Sequence, residues 1–149
     1  MAIERTFSML KPGVVQRRLA GEIIARIEAK GLKIVALRMR MISRELAETH
    51  YAEHRGKPFF EELVSFVTSG PVVAMAVEGD GAIACLRRLC GATKAEEAQP
   101  GTIRGDYAMH TGLNIIHASD SAESARREIG LFFDESEICA WAEGNDAWI

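Results

Sequence analysis

Three side chains with complementary chemistry lie close together toward the carboxyl end of the sequence. His117 and Ser119 are separated by one residue, and Glu128 follows in the next predicted helix. That helix can be capped by Asp120 or Ser121, which would turn Glu128 back toward the histidine. A carboxylate that orients an imidazole fixes its tautomer and frees the other nitrogen for nucleophilic attack. The same pattern also fits a structural histidine, because a His beside a carboxylate is a frequent polar pair.

The apolar spacing on either side of these residues predicts the elements that would position them. Leu113, Ile115 and Ile116 predict a short strand that ends at His117. After the polar corner, apolar residues recur at helical spacing and predict one buried helix face. Its members are Ala122, Ala125, Ile129 and Phe132.

The rest of the chain alternates between strand and helix patterns. Strands are predicted over residues 5–10, 32–42 and 72–77, and helices over residues 20–30, after Ser43, after Pro58 and up to Gly91. Residues 94–112 are predicted to be a long irregular loop, which is usually functional or disordered. The order predicts an α+β fold with a ferredoxin-like βαββαβ core, a four-stranded antiparallel sheet covered by helices. We expect residues 1–149 to form a single domain.

Several other polar residues are candidates whose role the residues alone leave open. Lys11 follows the first predicted strand, where a lysine is usually solvated. Arg87 and Arg88 both lie off the apolar stripe of their helix, and periodicity does not choose between them. His50 and His54 are four residues apart, but no glutamate is placed as in a His-Glu-x-x-His zinc motif, so the sequence predicts a solvated face.

Composition limits the classes of function. The 149 residues are 48% hydrophobic and 26% charged with a net charge of -3, which disfavours a dedicated nucleic-acid-binding protein. No apolar run has the length of a membrane span, and the first residues lack an export signal. Cys85, Cys90 and Cys139 have no Cys-x-x-Cys spacing, so free thiols in a reducing, cytoplasmic environment are expected.

The candidate site resembles the active-site signature of a known family. The run Asn114-Ile-Ile-His-Ala-Ser-Asp-Ser121, followed by Glu128, is similar to that of nucleoside diphosphate kinases. The resemblance extends from Glu4-Arg-Thr-Phe7 to about Phe133 and includes Pro100-Gly-Thr-Ile-Arg-Gly-Asp106. It implies ping-pong transfer of the terminal phosphoryl group from a nucleoside triphosphate, mainly ATP, to a nucleoside diphosphate through a phosphohistidine on His117.

The resemblance also implies a role for each matched residue. Glu128 would orient His117, Ser119 would support Glu128, and Lys11 would bind the phosphates and the sugar. A larger set would bind the nucleotide: Lys11, Tyr51, Phe59, Leu63, Arg87, Thr93, Arg104 and Asn114. Magnesium is implied as a cofactor that arrives with the nucleotide phosphates, because the sequence shows no carboxylate cage for it. Family members are homo-oligomers, and the length of the tail favours a hexamer over a tetramer.

Two nucleotide-binding motifs are absent from the sequence, and two other classes of function are alternatives to this one. The sequence contains neither a Gly-x-x-x-x-Gly-Lys-Ser/Thr loop nor the protein-kinase motifs, so side chains must bind the phosphates. An RNA-binding ferredoxin-like module would need exposed strand aromatics and usually a basic face, whereas the strands here are mostly aliphatic. A catalytically inactive relative is disfavoured because the full set of matched residues is present.

Overall fold

The computed structural model describes residues 3–142 and 144–149. Four strands and six α-helices make up its framework: β1 (Ile3–Leu10), α1 (Ala20–Ala29), β2 (Lys33–Arg40), α2 (Arg44–His50), α3 (Phe60–Val67), β3 (Val72–Asp80), α4 (Ala82–Cys90), α5 (Ile103–Tyr107), β4 (Ile116–Ala118) and α6 (Ala122–Phe132). Short 3-10 turns follow α2, α4, α5 and α6, and a further one lies near the end of the tail. The predicted α+β class and the four-stranded antiparallel sheet are confirmed.

The sheet has the strand order β2-β3-β1-β4, so β1 is a central strand. It pairs with β3 along its whole length, from Ile3 opposite Asp80 to Leu10 opposite Val73. On its other side β1 pairs with β4 through only three residues, Ser8 to Leu10. Lys11 follows directly, so the end of β1 and the whole of β4 lie side by side.

Helices cover both faces of the sheet. Alternate residues of the buried strand β3 point into two separate apolar clusters, as the period of a strand requires. Val73, Met75 and Val77 pack with α1 and α4, whereas Ala74 and Ala76 pack with α2, α3 and α6. Because both faces of β3 are buried, its sequence reads as a continuous apolar run rather than an alternating one.

The strand predicted to begin at Leu113 is shorter and starts later. Residues Thr111–Leu113 form a 3-10 turn, and Leu113 is 55% exposed. Ile115 has a left-handed φ of 64°, and the Ile116 N–H donates to the Asn114 carbonyl over 2.8 Å. This i to i+2 bond defines a γ-turn, a conformation rare for a β-branched residue. His117 is therefore the central residue of β4 and does not end it.

One local prediction about α6 needs correction, and one is confirmed. Ala122 was predicted on the buried stripe of α6 but is exposed, and Glu128 takes a buried position beside Ala125 and Phe132. Ser121 caps the helix, since its hydroxyl accepts from the Ser124 N–H over 3.0 Å.

The segment 94–112 is not irregular throughout. It contains the 3-10 turn Ala95–Glu97 and the helix α5, which Thr102 caps by accepting from the Gly105 N–H. Asp106 accepts from the Gly101 N–H over 2.8 Å, which closes the turn before α5. Local hydrogen bonds, rather than periodic apolar packing, thus hold this segment in its conformation.

The tail after α6 runs along the exposed edge of β2. The Cys139 N–H donates to the Val35 carbonyl over 2.8 Å, and the Trp141 indole donates to the Ile34 carbonyl over 3.0 Å. Trp148 stays 86% exposed. Cys85, Cys90 and Cys139 are free thiols. Among the described residues no helix is both long enough and apolar enough to cross a membrane.

Gly105 provides a test of how tightly the 94–112 segment is packed. A Cβ at this position would overlap the backbone carbonyl of Gln99, which cannot move away as a flexible side chain would. We expect Gly105→Ala to lower the free energy of unfolding by about 1–3 kcal/mol in urea denaturation. Gly112→Ala is the matched control in the same segment, because a Cβ there meets nothing within 4 Å. Equal stability of the two variants would contradict this packing.

Candidate active site

His117, Glu128 and Ser119 form one hydrogen-bonded group. The Nε2 atom of His117 lies 2.9 Å from Oε1 of Glu128, and the Ser119 hydroxyl donates to the same oxygen over 2.5 Å. A carboxylate only accepts hydrogen bonds, so Nε2 carries the proton and Nδ1 keeps its lone pair. His117 is partly exposed, whereas Glu128 and Ser119 are buried. The imidazole is thus oriented from the interior and open on its outer side.

Glu128 stays ionised although it is buried. Burial alone would raise the pKa of its carboxyl, but the hydrogen bonds and charge of His117, together with the Ser119 hydroxyl, outweigh it and lower the pKa below its usual value. A negative charge therefore lies beside the imidazole at neutral pH. It stabilises positive charge that develops on the ring.

Lys11, Asn114 and Thr93 form a second connected group. The Lys11 ammonium donates to Oδ1 of Asn114 over 2.7 Å, and the Asn114 amide donates to the Thr93 carbonyl over 3.1 Å. The γ-turn at Ile115 makes this possible, because it places Asn114 next to the end of β1. The Lys11 N–H also donates to the Ile115 carbonyl over 2.9 Å.

Arg104 is buried and fastens the loop to the sheet. Its guanidinium donates to the carbonyls of Gly91 and Ile116 over 2.9 and 2.6 Å, and to that of Asn114 over 3.3 Å. A guanidinium has five N–H groups, so these three bonds leave others for a ligand. Arg104 therefore connects the end of α4 to the γ-turn and β4.

The two adjacent arginines of α4 differ in their contacts. Arg87 donates to the Ala118 carbonyl over 3.1 Å, which places its guanidinium beside β4 next to His117. Arg88 is exposed and has no hydrogen bond or ion pair among the described residues. The structure therefore brings Arg87 to the site and leaves Arg88 at the surface.

Positive charge is concentrated on one side of His117. Burial, together with the neighbouring charge of Arg104, lowers the pKa of Lys11 to about 8. Burial and the charge of Arg87 likewise lower the pKa of Arg104. Like charges held this close are unfavourable without an anion, so the arrangement favours a negatively charged ligand.

Helices α2 and α3 form a hairpin beside this cationic side. The Tyr51 ring lies 4.7 Å from the His50 ring, and the Phe59 ring lies 5.3 Å from that of His54. Phe59 is 43% exposed, whereas the next residue, Phe60, packs against the apolar cluster below. Leu63 is half-buried one turn after Phe59, and its N–H donates to the Phe59 carbonyl over 3.0 Å.

His50 is the site residue that the sequence prediction missed. It was predicted on a solvated face, but it is only 4% exposed and packs edge-on against His117 with ring centroids 5.0 Å apart. Burial, reinforced by the neighbouring His117, lowers its pKa to about 3. The signal was its three-residue spacing from Ala47, which is also buried, on the same helix.

Comparisons with known proteins agree with this fold. The family model described as Nucleoside diphosphate kinase matches residues 4–138. The chain is 60% identical over 147 residues to the nucleoside diphosphate kinase of Archaeoglobus fulgidus, covering 99% of this chain and 97% of that protein. It is also 60% identical to that of Listeria monocytogenes, covering 99% and 100% of the two chains.

A solved structure gives the same result in three dimensions. The halophilic nucleoside diphosphate kinase from Halobacterium salinarum, in complex with CDP, is 53% identical and superposes with a TM-score of 0.96 over 99% of this chain and 98% of that one. The fold and the sequence are those of a nucleotide phosphotransferase. The chain belongs to the nucleoside diphosphate kinase family.

The buried ammonium of Lys11 leads to a prediction about stability in the absence of ligand. The pKa of Lys11 is about 8 in the folded protein and near its ordinary value of 10.5 when unfolded. At pH values between these two pKa values the unfolded chain binds more protons than the folded protein does. The contribution of Lys11 to the free energy of unfolding therefore rises with pH. Relative to Lys11→Met, the wild type should gain up to ~3 kcal/mol across this interval in urea denaturation.

Lys94→Met controls for the loss of a charge, since Lys94 is exposed in the neighbouring loop. A stability difference between wild type and Lys11→Met that is constant with pH would show that the ammonium is well solvated.

Proposed function

We propose that this nucleoside diphosphate kinase transfers phosphoryl groups by a ping-pong reaction through a phosphohistidine on His117. The observation that supports it most strongly is the 2.9 Å contact between Nε2 of His117 and the ionised Glu128. With the proton on Nε2, as a hydrogen bond to a carboxylate requires, Nδ1 would be the nucleophile. We assign catalytic roles to His117, Glu128 and Lys11, and a supporting role to Ser119.

In the first half-reaction Nδ1 attacks the terminal phosphorus of a nucleoside triphosphate, mainly ATP. The bond from phosphorus to the bridging oxygen breaks as the bond to nitrogen forms, and the nucleoside diphosphate leaves with the electron pair. The imidazole becomes positively charged while Nε2 keeps its proton, and Glu128 stabilises that charge. A second diphosphate then attacks the phosphohistidine and reverses these steps.

The phosphates would be bound by the cationic side of the site. Lys11, Arg87 and Arg104 supply positive charge and planar donors, and the Thr93 and Tyr51 hydroxyls add hydrogen bonds. Phosphoryl transfer requires mainly positioning and neutralisation of charge, which these groups provide. Asn114, held by Lys11 and the Thr93 carbonyl, would bind a sugar hydroxyl.

The base would rest on the hairpin of α2 and α3. Stacking on the exposed ring of Phe59, with Leu63 beside it, makes no base-specific hydrogen bond, so several bases would be accepted. The CDP complex of the Halobacterium salinarum relative supports binding of a nucleoside diphosphate.

Magnesium would enter as part of the nucleotide substrate. In the described part of the chain, the one His, Cys, Asp or Glu cluster with ligand atoms close enough for a metal contains two imidazoles. Magnesium prefers oxygen ligands and keeps several of its waters, so this cluster suits it poorly. The phosphate oxygens are the better ligands, and bound magnesium neutralises part of their charge.

We also propose that the chain is a single domain over residues 1–149 that acts in the cytoplasm. The three free thiols support a reducing compartment. The negative net charge supports small nucleotides rather than nucleic acid as partners.

A homo-oligomer is the proposed assembly, with a hexamer favoured over a tetramer. Leu37, Met39 and Met41 are between 53% and 63% exposed at and just after the end of the edge strand β2. Trp148 and Ile149 in the tail are further exposed apolar side chains, at 86% and 63%. Contacts between copies would bury these side chains.

The phosphohistidine provides the direct test of the mechanism. Incubation with ATP labelled in the terminal phosphate should give label on the protein that is labile in acid and stable in base. His117→Ala should take up no label and lose phosphoryl transfer, because the nucleophile is absent. His110→Ala, which removes an exposed histidine from the neighbouring loop, should label as the wild type does. Transfer that persists in purified His117→Ala would refute the mechanism, and an unlabelled wild type would indicate an inactive relative or an RNA-binding module.

The two arginines of α4 form a matched pair for testing the phosphate site. Arg87→Ala should lower kcat/KM by about 10- to 100-fold, since it removes charged hydrogen bonds to the phosphates. Arg88→Ala removes the same charge from the same helix and should change kcat/KM little. A greater loss in Arg88→Ala than in Arg87→Ala would reverse the assignment.

Assembly is measured by light scattering on a sizing column. We expect a mass of six copies of the 16.4 kDa chain. Four copies would show that the tail does not determine the assembly, and an active monomer would show that the apolar surface described above has another use.

A further inference from the structure

A cluster of three potential metal ligands lies on the inner side of His117. One ligand atom from each of His50, His117 and Glu128 lies within 4.8 Å of the other two. We propose that these three side chains bind a zinc ion, and that the bound zinc inhibits phosphorylation of His117. The binding is independent of the proposed function, whereas the inhibition rests on it.

The donor atoms match the chemistry of zinc. Zinc accepts imidazole nitrogen and carboxylate oxygen at about 2.0–2.2 Å, commonly with three protein ligands and one open position. Tetrahedral geometry at these lengths puts the donor atoms roughly 3.4 Å apart. Nε2 of His117 and Oε1 of Glu128 are already closer than this, at 2.9 Å. Modest movement of the His50 ring, by about 1–1.5 Å, would complete the site.

His50 gives an independent reason to expect a ligand here. It is only 4% exposed, and its Nδ1 atom has no hydrogen-bond partner among the described residues. A buried polar atom without a partner is unfavourable, and a metal ion would remove that deficit. The ring is neutral, as a metal-binding imidazole must be.

The residues around His50 distinguish its contact with His117 from an ordinary aromatic contact. His50 and His117 meet at an interplanar angle of 83°, and Phe7 and Phe132 pack against His50 from the interior. The aromatic rings hold both imidazoles beside Glu128 without contributing donors of their own. Only the His50 ring would have to move before the three side chains could bind zinc together.

Binding would change the tautomer of His117. The ring stays neutral, because the proton leaves Nε2 and, by exchange with solvent, is carried on Nδ1, so that the Nε2 lone pair bonds to zinc. Glu128 Oε1 changes from a hydrogen-bond acceptor into a ligand, and Ser119 continues to donate to the carboxylate and would orient it, as outer-shell groups do in metal sites. With its lone pair taken by the proton, Nδ1 can no longer attack phosphorus.

Calorimetry with zinc sulfate alone tests the binding without any nucleotide. Wild type should bind one zinc ion per chain, and cobalt at the same site should give the visible absorption of a tetrahedral complex. His50→Phe keeps an aromatic ring but no ligand atom and should weaken zinc binding at least tenfold. His50→Gln is a second variant of smaller apolar area, and thermal unfolding checks that each variant is folded.

Three variants control for other zinc-binding groups. His54→Gln, His110→Gln and Cys139→Ser each remove a side chain outside the cluster, and each should bind zinc as the wild type does. Loss of binding in one of these, or unchanged binding in a folded His50→Phe, would place the zinc elsewhere and overturn the proposal.

Inhibition is measured by adding zinc at a constant concentration of magnesium-bound nucleotide. The activity that remains is expressed as a fraction of the activity of the same protein without zinc. Zinc at saturation should inhibit the wild type at least tenfold, and His50→Phe should need at least tenfold more zinc for the same inhibition. An active enzyme that binds no zinc at this cluster overturns this inference and leaves the proposed function intact. If the protein binds zinc but takes up no phosphoryl label on His117, the zinc site is supported. The proposed function is then refuted, and with it the inhibition of that function by zinc.

Discussion

The geometry of the candidate active site depends on one carboxylate oxygen. Oε1 of Glu128 accepts from both the His117 imidazole and the Ser119 hydroxyl, and it comes from α6 while both donors come from the end of the sheet. The three groups meet only if α6 packs at the correct distance and rotation over β1. Phe132 and Ala125 set that position by packing on the same face of the helix as Glu128. Apolar packing therefore fixes the geometry of a polar contact.

Electrostatics impose the second constraint. Lys11, Arg87 and Arg104 lie near one another, and their hydrogen-bond partners are mainly neutral oxygens. These are the carbonyls of Gly91, Ile116 and Ala118 and the side-chain oxygen of Asn114. Carbonyls orient the cations without neutralising them. Acidic partners would hold the same side chains more strongly but would occupy the charge that a phosphate needs. The site thus combines rigid donors with positive charge that is still available.

Sequence reasoning predicted the features that local periodicity controls. The strands β1 and β3, the helices α1 and α4 and the α+β class follow from apolar spacing and from Gly31 and Gly91 at helix ends. The closeness of His117 and Glu128 follows from helix geometry once α6 is placed. Tertiary contacts decide the rest. His50 is buried because α2 packs over His117, and Arg104 in α5 turns inward because three carbonyls surround it. The inward turn of Arg104 has no signature in local periodicity, and the burial of His50 has only the weak one of its spacing from Ala47.

The γ-turn at Ile115 connects the candidate active site to the folding of the whole chain. A β-branched residue at a left-handed φ is unfavourable by roughly 1–2 kcal/mol, so the short peptide around it would not adopt this conformation alone. Burial of Ile115 in the core and the bond from the Lys11 N–H to its carbonyl hold it in place. Mutations that loosen this core, even far from His117, would release the turn first. Activity should then fail in molecules that still retain most of their sheet, so that function is a more sensitive reporter of damage to this protein than its secondary structure.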